Sequence, residues 1–320
     1  MGVLVISFAP ILGLRHYMRF MSTLLAAQEP STATIYAVES GPHYVWLNGQ
    51  ILPEHEARIS PYDHGLMVGD GVFETLTSYR GRPFASTRHW KRLKYSSDAL
   101  GIVPPSQEVV DGAMQAVMEA NGLELARIRV TVTSGEGPLG SDKGTKGNNV
   151  IVLASPVPKF SPTVDVVTVP YQRLITGALT GCKTISYGEN VAVLAYAKKR
   201  GGGEAIFADT LGRLSEGTGT NIFLVHQGQL VTPSLTTGCL AGITRALVLE
   251  ICRANGIECK EVELPMSALF HADEAFLTSS TREVHPIAHV DGLPVAQAPG
   301  PITAYIQVLF KELTERNLDP

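Results

Sequence analysis

The chain of 320 residues is long enough for two domains or one large one, and 44% hydrophobic with 18% charged residues suits a globular protein with a proper core. A formal net charge of −4, with no basic stripe, gives no electrostatic basis for binding nucleic acid. Cys182, Cys239, Cys252 and Cys259 form no CxxC pair and no histidine pair has zinc-finger spacing; this argues against a metal site and for reduced thiols in a cytoplasmic protein.

Residues 1–43 begin apolar, carry Arg15 and Arg19, and have no acid before Glu29. Pro10 and Gly13 interrupt the apolar run, which is too short to span a bilayer, so no membrane partner is expected. A signal or transit segment is one reading. The simpler one is a poorly ordered N-terminal extension. The run YVWLNGQIL then places Asn48-Gly49 between apolar stretches, a hairpin signal. GVFETLTSYRGRPF predicts a second hairpin turning at Arg80-Gly81. STRHWKRLKYSSDALGI has helical spacing at Trp90, Leu93 and Leu100, and another helix is predicted over Gln107–Asn121. Strands ARIRVTVTSG and NNVIVLAS flank the glycine-rich GEGPLGSDKGTKG.

SPVPKFSPT holds three prolines in nine residues and is the best linker candidate. Beyond it come a strand at Val164–Val169, the loop TGCKTISYGEN, a helix from Val191 to Arg200, and a strand at Glu204–Ala208. A hairpin-rich part spans Arg213–Thr232. Helices at Thr244–Asn255 and Ile302–Arg316 follow, with a strand EAFL between them. The expected organisation is an α/β (α+β) two-domain protein: a small α/β domain over 44–155, a linker at 156–163 and a larger barrel-like domain over 164–320.

The glycine-rich loop at Gly135–Gly140 is followed by Ser141 and Asp142 and not by Lys-Ser/Thr, which excludes a Walker phosphate loop. A mobile surface loop near the substrate entrance is the better reading. Other segments are individually ordinary. GCLAGITR starts an amphipathic helix at Gly242 and Thr244, where free N–H groups can hold a phosphate. Glu216 precedes a Gly-Thr-Gly turn, TSSTRE is a hydroxyl cluster after a strand, and Arg88 and Arg92 lie on one helix. Lys183 sits in a loop that feeds a helix. Taken together they describe one ligand with a phosphate, an aldehyde and a ring nitrogen that needs an acid. That ligand is pyridoxal 5′-phosphate, with Lys183 as its Schiff-base lysine.

The order of DHGLMVGDGVFET, HWKRL, CKTISY, LGRLSEGTGTNIFLV, LVTP, LAGITR and ALFHADEAFLTSSTREVHPI resembles the class IV aminotransferases, pyridoxal-phosphate enzymes of fold type IV, from about Tyr44 to Ile306. The resemblance implies that Lys183 is the covalent and catalytic lysine and Arg92, not Arg88, the phosphate arginine. It puts Tyr187 at the phenolic oxygen, although Ser186 replaces the asparagine many members have before it. Glu216 becomes the ring-nitrogen carboxylate. Ile243, Thr244, Ser279 and Ser280 become phosphate ligands, and Val68, Phe73, Thr75, Arg129 and Thr281 substrate contacts. An amino donor, a 2-oxo acid acceptor and a homodimer with interface sites are likewise implied. Within the family Thr75 resembles the 4-amino-4-deoxychorismate lyases and some D-specific enzymes, whereas Arg129 resembles the branched-chain enzymes. An amino-acid transaminase of branched-chain or D-amino-acid type is expected, with the lyase as the alternative.

Overall fold

The computed structural model describes residues 43–144 and 146–320, so nearly all of the expected extension lies outside the described residues. The first part of the chain builds β1 (Tyr44–Leu47), β2 (Gln50–Pro53), β3 (Gly71–Tyr79), β4 (Arg82–Pro83), β5 (Ala126–Thr133) and β6 (Asn149–Pro156). They pair antiparallel in the order β2-β1-β6-β5-β3-β4. Asn48-Gly49 and Arg80-Gly81 take the consecutive positive φ values, 49° and 97°, 52° and 69°, that a two-residue I′ turn requires. Along β5 the alternation is expressed directly: Ala126, Ile128, Val130 and Val132 are buried. They meet Leu93 of a helix at Ser86–Ala99 and Met114 and Val117 of a helix at Gln107–Ala120. With a short turn at His64–Met67, these helices are α1 (His64–Met67), α2 (Ser86–Ala99) and α3 (Gln107–Ala120).

Residues 157–163 connect this sheet to a second one; β6 runs one residue into the expected linker. The second sheet contains β7 (Val164–Arg173), β8 (Glu204–Asp209), β9 (Leu214–Gly217), β10 (Asn221–His226), β11 (Gln229–Pro233), β12 (Cys259–Val262), β13 (Glu274–Ser279), β14 (Glu283–Val290) and β15 (Leu293–Pro294). Its order is β12-β11-β10-β13-β14-β7-β8-β9, with β15 beside β14. Three pairs are parallel, β11–β12, β14–β7 and β7–β8. The helices are α4 (Gly188–Lys198), α5 (Ile243–Ala254) and α6 (Pro301–Arg316). Leu247, Val248 and Ile251 of α5 and Ile306 and Phe310 of α6 pack on the stacked rings of Phe223 and Phe276. Phe84 and Ala85, from the first part of the chain, join the same cluster.

Three differences from the sequence reading matter for the site. β7 continues past Val169 to Arg173, which carries an arginine to the sheet's end. α4 starts at Gly188, three residues before Val191, so Tyr187 is its cap. β14 forms where the sequence predicts no strand, over a run whose Pro286 lacks an N–H, which ordinarily demotes a run to an edge. Here Pro286 is paired to Phe276 on one side, and the ladder to β7 begins only at Ile287. Among the described residues no helix is long and apolar enough to cross a membrane, and no three His, Cys, Asp or Glu side chains gather as a metal site.

Candidate active site

A cavity of about 480 Å³ is lined by residues of both sheets, and Lys183 is in its wall. The lysine loop is held as an extra strand. Only Ser78 and Tyr79 of β3 pair with β4, which leaves the other end of that edge open. There Phe73 N–H donates to Lys183 O (3.0 Å) and Ile185 N–H to Gly71 O (2.9 Å). Lys183 N–H in turn donates to Ser96 Oγ of α2 (2.9 Å). Lys183 Nζ lies 4.3 Å from the centre of the Phe73 ring and 5.8 Å from that of Tyr187. Burial, and then the Arg92 guanidinium, push the amine down to about 8, against the pull of Glu74 and Glu216.

On one side of Lys183 is Glu216 of β9. Its Oε2 accepts a hydrogen bond from Leu240 N–H (3.0 Å), and Oε1 lies 3.1 Å from Arg173 Nε, an ion pair not aligned as a hydrogen bond. The Arg173 guanidinium carbon lies over the Phe207 ring, 4.0 Å from its centre. Burial pushes the Glu216 carboxyl upward, and Arg173 and the Leu240 N–H partly restore it. Tyr187 donates to Thr218 O (2.8 Å) and meets the edge of Phe73 at 5.2 Å. Ser186, in the place of the expected asparagine, donates to Gly69 O.

On the other side is the start of α5. Gly242 is its cap and contributes no side chain, so the first-turn N–H groups have no cap acceptor. A Cβ at Gly242 would come 1.9 Å from Asn221 Oδ1; the backbone approaches its neighbour in a way only glycine permits. Ile243 and Thr244 line the cavity, as do Ser279, Ser280 and Thr281 from the β13–β14 turn. The buried Thr278 hydroxyl in the same wall has no hydrogen-bond partner among the described residues. Arg92 completes this end, its Nη1 donating to Ala241 O (3.0 Å). Its other nitrogens donate to Glu74: Nε to Oε1 and Nη2 to Oε2, both 2.7 Å. A phosphorylated aldehyde with a ring nitrogen fits this donor set. A helix N-terminus, hydroxyls and a guanidinium suit the phosphate, a low-pKa amine the aldehyde, and an acid the ring nitrogen.

Of the other expected residues, Phe73, Thr75 and Arg129 line the cavity. Arg129 lies over Phe73, 3.8 Å from the ring centre, and its Nε donates to Thr131 Oγ1 (3.2 Å). Val68 is elsewhere: it is 46% exposed at the end of α1 and outside the cavity lining. Arg88, not expected at the phosphate, turns outward to Glu250 (2.8 and 2.9 Å) and to Pro320 O. Sequence reasoning missed Arg173, Glu74 and His89. Glu74 belongs to the quoted VFET, but no spacing rule pairs it with an arginine 18 residues later; the contact is made across β3 and α2.

The family model for amino-transferase class IV matches residues 71–290. The chain belongs to that family. It is accordingly an enzyme of the aminotransferase type. The D-alanine aminotransferase of Bacillus licheniformis is 30% identical over 83% of this chain and 95% of its own. The crystal structure of the Escherichia coli branched-chain amino acid aminotransferase has 30% identity and a TM-score of 0.81, covering 85% of this chain and 95% of its own. The branched-chain amino acid aminotransferase of T.th. solved with pyridoxamine 5′-phosphate has 26% identity and a TM-score of 0.81, covering 87% and 97%. The class IV neighbours have the mixed α/β, fold type IV architecture expected from the sequence.

Proposed function

We propose that this class IV aminotransferase uses pyridoxal 5′-phosphate held by Lys183, Arg92, Tyr187, Glu216, Ile243, Thr244, Ser279 and Ser280. It moves an amino group between an amino acid, of branched-chain or D type, and a 2-oxo acid. The observation that carries the reading is a low-pKa amine, Lys183, between a buried carboxylate and an uncapped helix start. When bound, the coenzyme supplies an electrophilic aldehyde and a ring that accepts the electron pair left on the substrate carbon.

The chain's own groups do the rest. Lys183 Nζ, held at about 8, would take the proton from the substrate Cα and return it, two bonds away, to the carbon that the coenzyme's aldehyde supplies. Glu216, held by Leu240 and Arg173, presents a carboxylate whose raised affinity for protons lets it share one with a ring nitrogen. The α5 start, Arg92 and the β13–β14 hydroxyls hold the phosphate and so orient the reacting face. Arg129 offers a guanidinium to a substrate carboxylate beside Phe73 and Thr75, and Thr281 borders the same space. The protein acts as a cytoplasmic homodimer with residues 44–155 and 164–320 as small and large domains.

Thr75 in the cavity wall supports the second reading, a 4-amino-4-deoxychorismate lyase releasing pyruvate. A substrate panel separates the two. The coenzyme-loaded enzyme is incubated with L-leucine, D-alanine, an (R)-amine and aminodeoxychorismate. Oxo acid from L-leucine or D-alanine is expected; pyruvate from aminodeoxychorismate alone would overturn the transaminase reading.

A further inference from the structure

Behind the anion end of the cavity lie two buried polar side chains, Glu74 and His89, that do not themselves line it. Glu74 of β3 is 1% exposed and shares its carboxylate between Arg92 and His89, both of α2. His89 Nδ1 is 2.7 Å from Glu74 Oε2, and His89 Nε2 is 3.4 Å from Ser280 Oγ across the gap to the β13–β14 turn. That turn is fixed from below, since Thr77 Oγ1 donates to Ser280 O (2.7 Å). One imidazole thus joins the carboxylate that grips Arg92 to the hydroxyl that faces the cavity.

The proton count of this chain depends on what the cavity holds. Burial lowers the pKa of His89; Glu74 opposes this, while Arg92 and Lys183 reinforce it. The charged and titratable groups around the ring are therefore Glu74 from β3, Arg92 from its own helix and Lys183 from the loop, with the neutral Ser280 hydroxyl from the turn. A neutral His89 spends its one N–H on Glu74 and keeps a lone pair toward Ser280, so the Ser280 hydroxyl donates to His89. An anion in the cavity claims that hydroxyl proton as a hydrogen bond. Two lone pairs, of Ser280 Oγ and His89 Nε2, would then face each other. A proton on Nε2 removes the conflict: His89 donates to Ser280, and Ser280 donates to the anion. The anion's charge favours the imidazolium in the same direction.

We propose that a doubly charged phosphate group bound at the start of α5 draws one proton from solvent onto His89 Nε2. Glu74 is the positioning residue that holds both the imidazole and Arg92 for it. Only an N–H bond forms, and Glu74 stays ionised: Arg92 and His89 hold its carboxyl well below the usual range despite its burial. The inference rests on the phosphate reading of this pocket.

Sulfate tests it, because it is a dianion with no proton of its own across neutral pH. Its binding to the full chain without coenzyme is followed by calorimetry in buffers of different ionisation enthalpy. The Lys183→Ala background removes the neighbouring amine. Uptake close to one proton per sulfate is expected at about pH 8, with affinity falling up to about tenfold per pH unit as pH rises. His89→Asn retains an amide N–H for Glu74 but no titrating nitrogen; its uptake should vanish and its affinity become level with pH. Equal uptake in both proteins, or none in either while sulfate binds, overturns the inference and leaves the phosphate reading standing. No sulfate binding at all overturns both. Should His89→Asn fail to fold, the ¹⁵N shift of His89 Nε2 in the Lys183→Ala protein decides. It should move to its imidazolium value when sulfate is added, and an unmoved resonance refutes the proposal.

Discussion

The floor of the cavity, at Arg92, and its mouth, at Arg129, are charged by similar residues held in different ways. At the floor Arg92 is 10% exposed along its side chain and locked by two parallel hydrogen bonds to a buried carboxylate. Near the mouth Arg129 has one hydrogen bond to a hydroxyl and a ring beneath it. The loop expected to be mobile, outside the cavity lining, is tied back by Lys143 to Asp70 and by Lys146 to Glu136, through amines 49% and 74% exposed. Such exposed pairs are weak and screened by salt. Breaking a buried pair instead leaves an uncompensated charge. Under the proposed function, the rigid end holds what every substrate shares and the softer end meets what differs between substrates.

Substitutions can break or sharpen that contrast. The largest effect is expected at the centre. Lys183→Ala should cost about 10⁴-fold or more in turnover, because nucleophile and proton carrier leave together. Its melting temperature should stay near that of the parent; near-normal turnover would end the proposal. Glu216→Gln should slow the proton-transfer step by about 10²-fold, read as a substrate deuterium isotope effect together with kcat. The lysine also gives a pH test. Only the neutral amine attacks an aldehyde, so its capture of pyridoxal 5′-phosphate in stopped flow should quicken about tenfold per pH unit below pH 8 and level off above it. A rate independent of pH would show that the amine is not held near 8. At the mouth, Arg129→Ala should raise KM for the amino acid about tenfold, the loss of one charge-assisted contact. Coenzyme affinity should not change; if it did, floor and mouth would not be separate. The smallest effect belongs to Arg88→Ala, one helical turn from Arg92. Its exposed pair with Glu250 is worth about 0.2–1 kcal/mol, measured by denaturant unfolding, and kcat should be unchanged.

Much of this was legible before any coordinates. Asn48-Gly49 and Arg80-Gly81 announced their hairpins because a two-residue turn needs positive φ in sequence. The amphipathic runs in α2, α3, α5 and α6 announced helices with an apolar face. Lys183, Arg92, Glu216 and the Gly-Ile-Thr start of α5 sit on short motifs, so their residue types and order can be read from the chain. β14 could not be read, because Pro286 looks like a strand breaker until a neighbour is present on its other side. β12 was missed for a similar reason: CKEV is short and mostly polar, and only the parallel ladder to β11 makes it a strand.

From its sequence alone, then, the chain specified local geometry and the kinds of functional group available, since turn conformation, helical faces and motif order depend on near neighbours. Which groups touch was decided in three dimensions. Glu74 meets Arg92 and His89 only when α2 packs on β3; Arg173 reaches Glu216 only because β7 and β9 flank β8; Val68 leaves the cavity and Arg88 turns to Glu250. The pKa of Lys183 is likewise set by burial and by charges from distant segments, Arg92 lowering it and Glu74 and Glu216 opposing. These contacts depend on packing between segments far apart in the chain, and spacing along it carries no record of them.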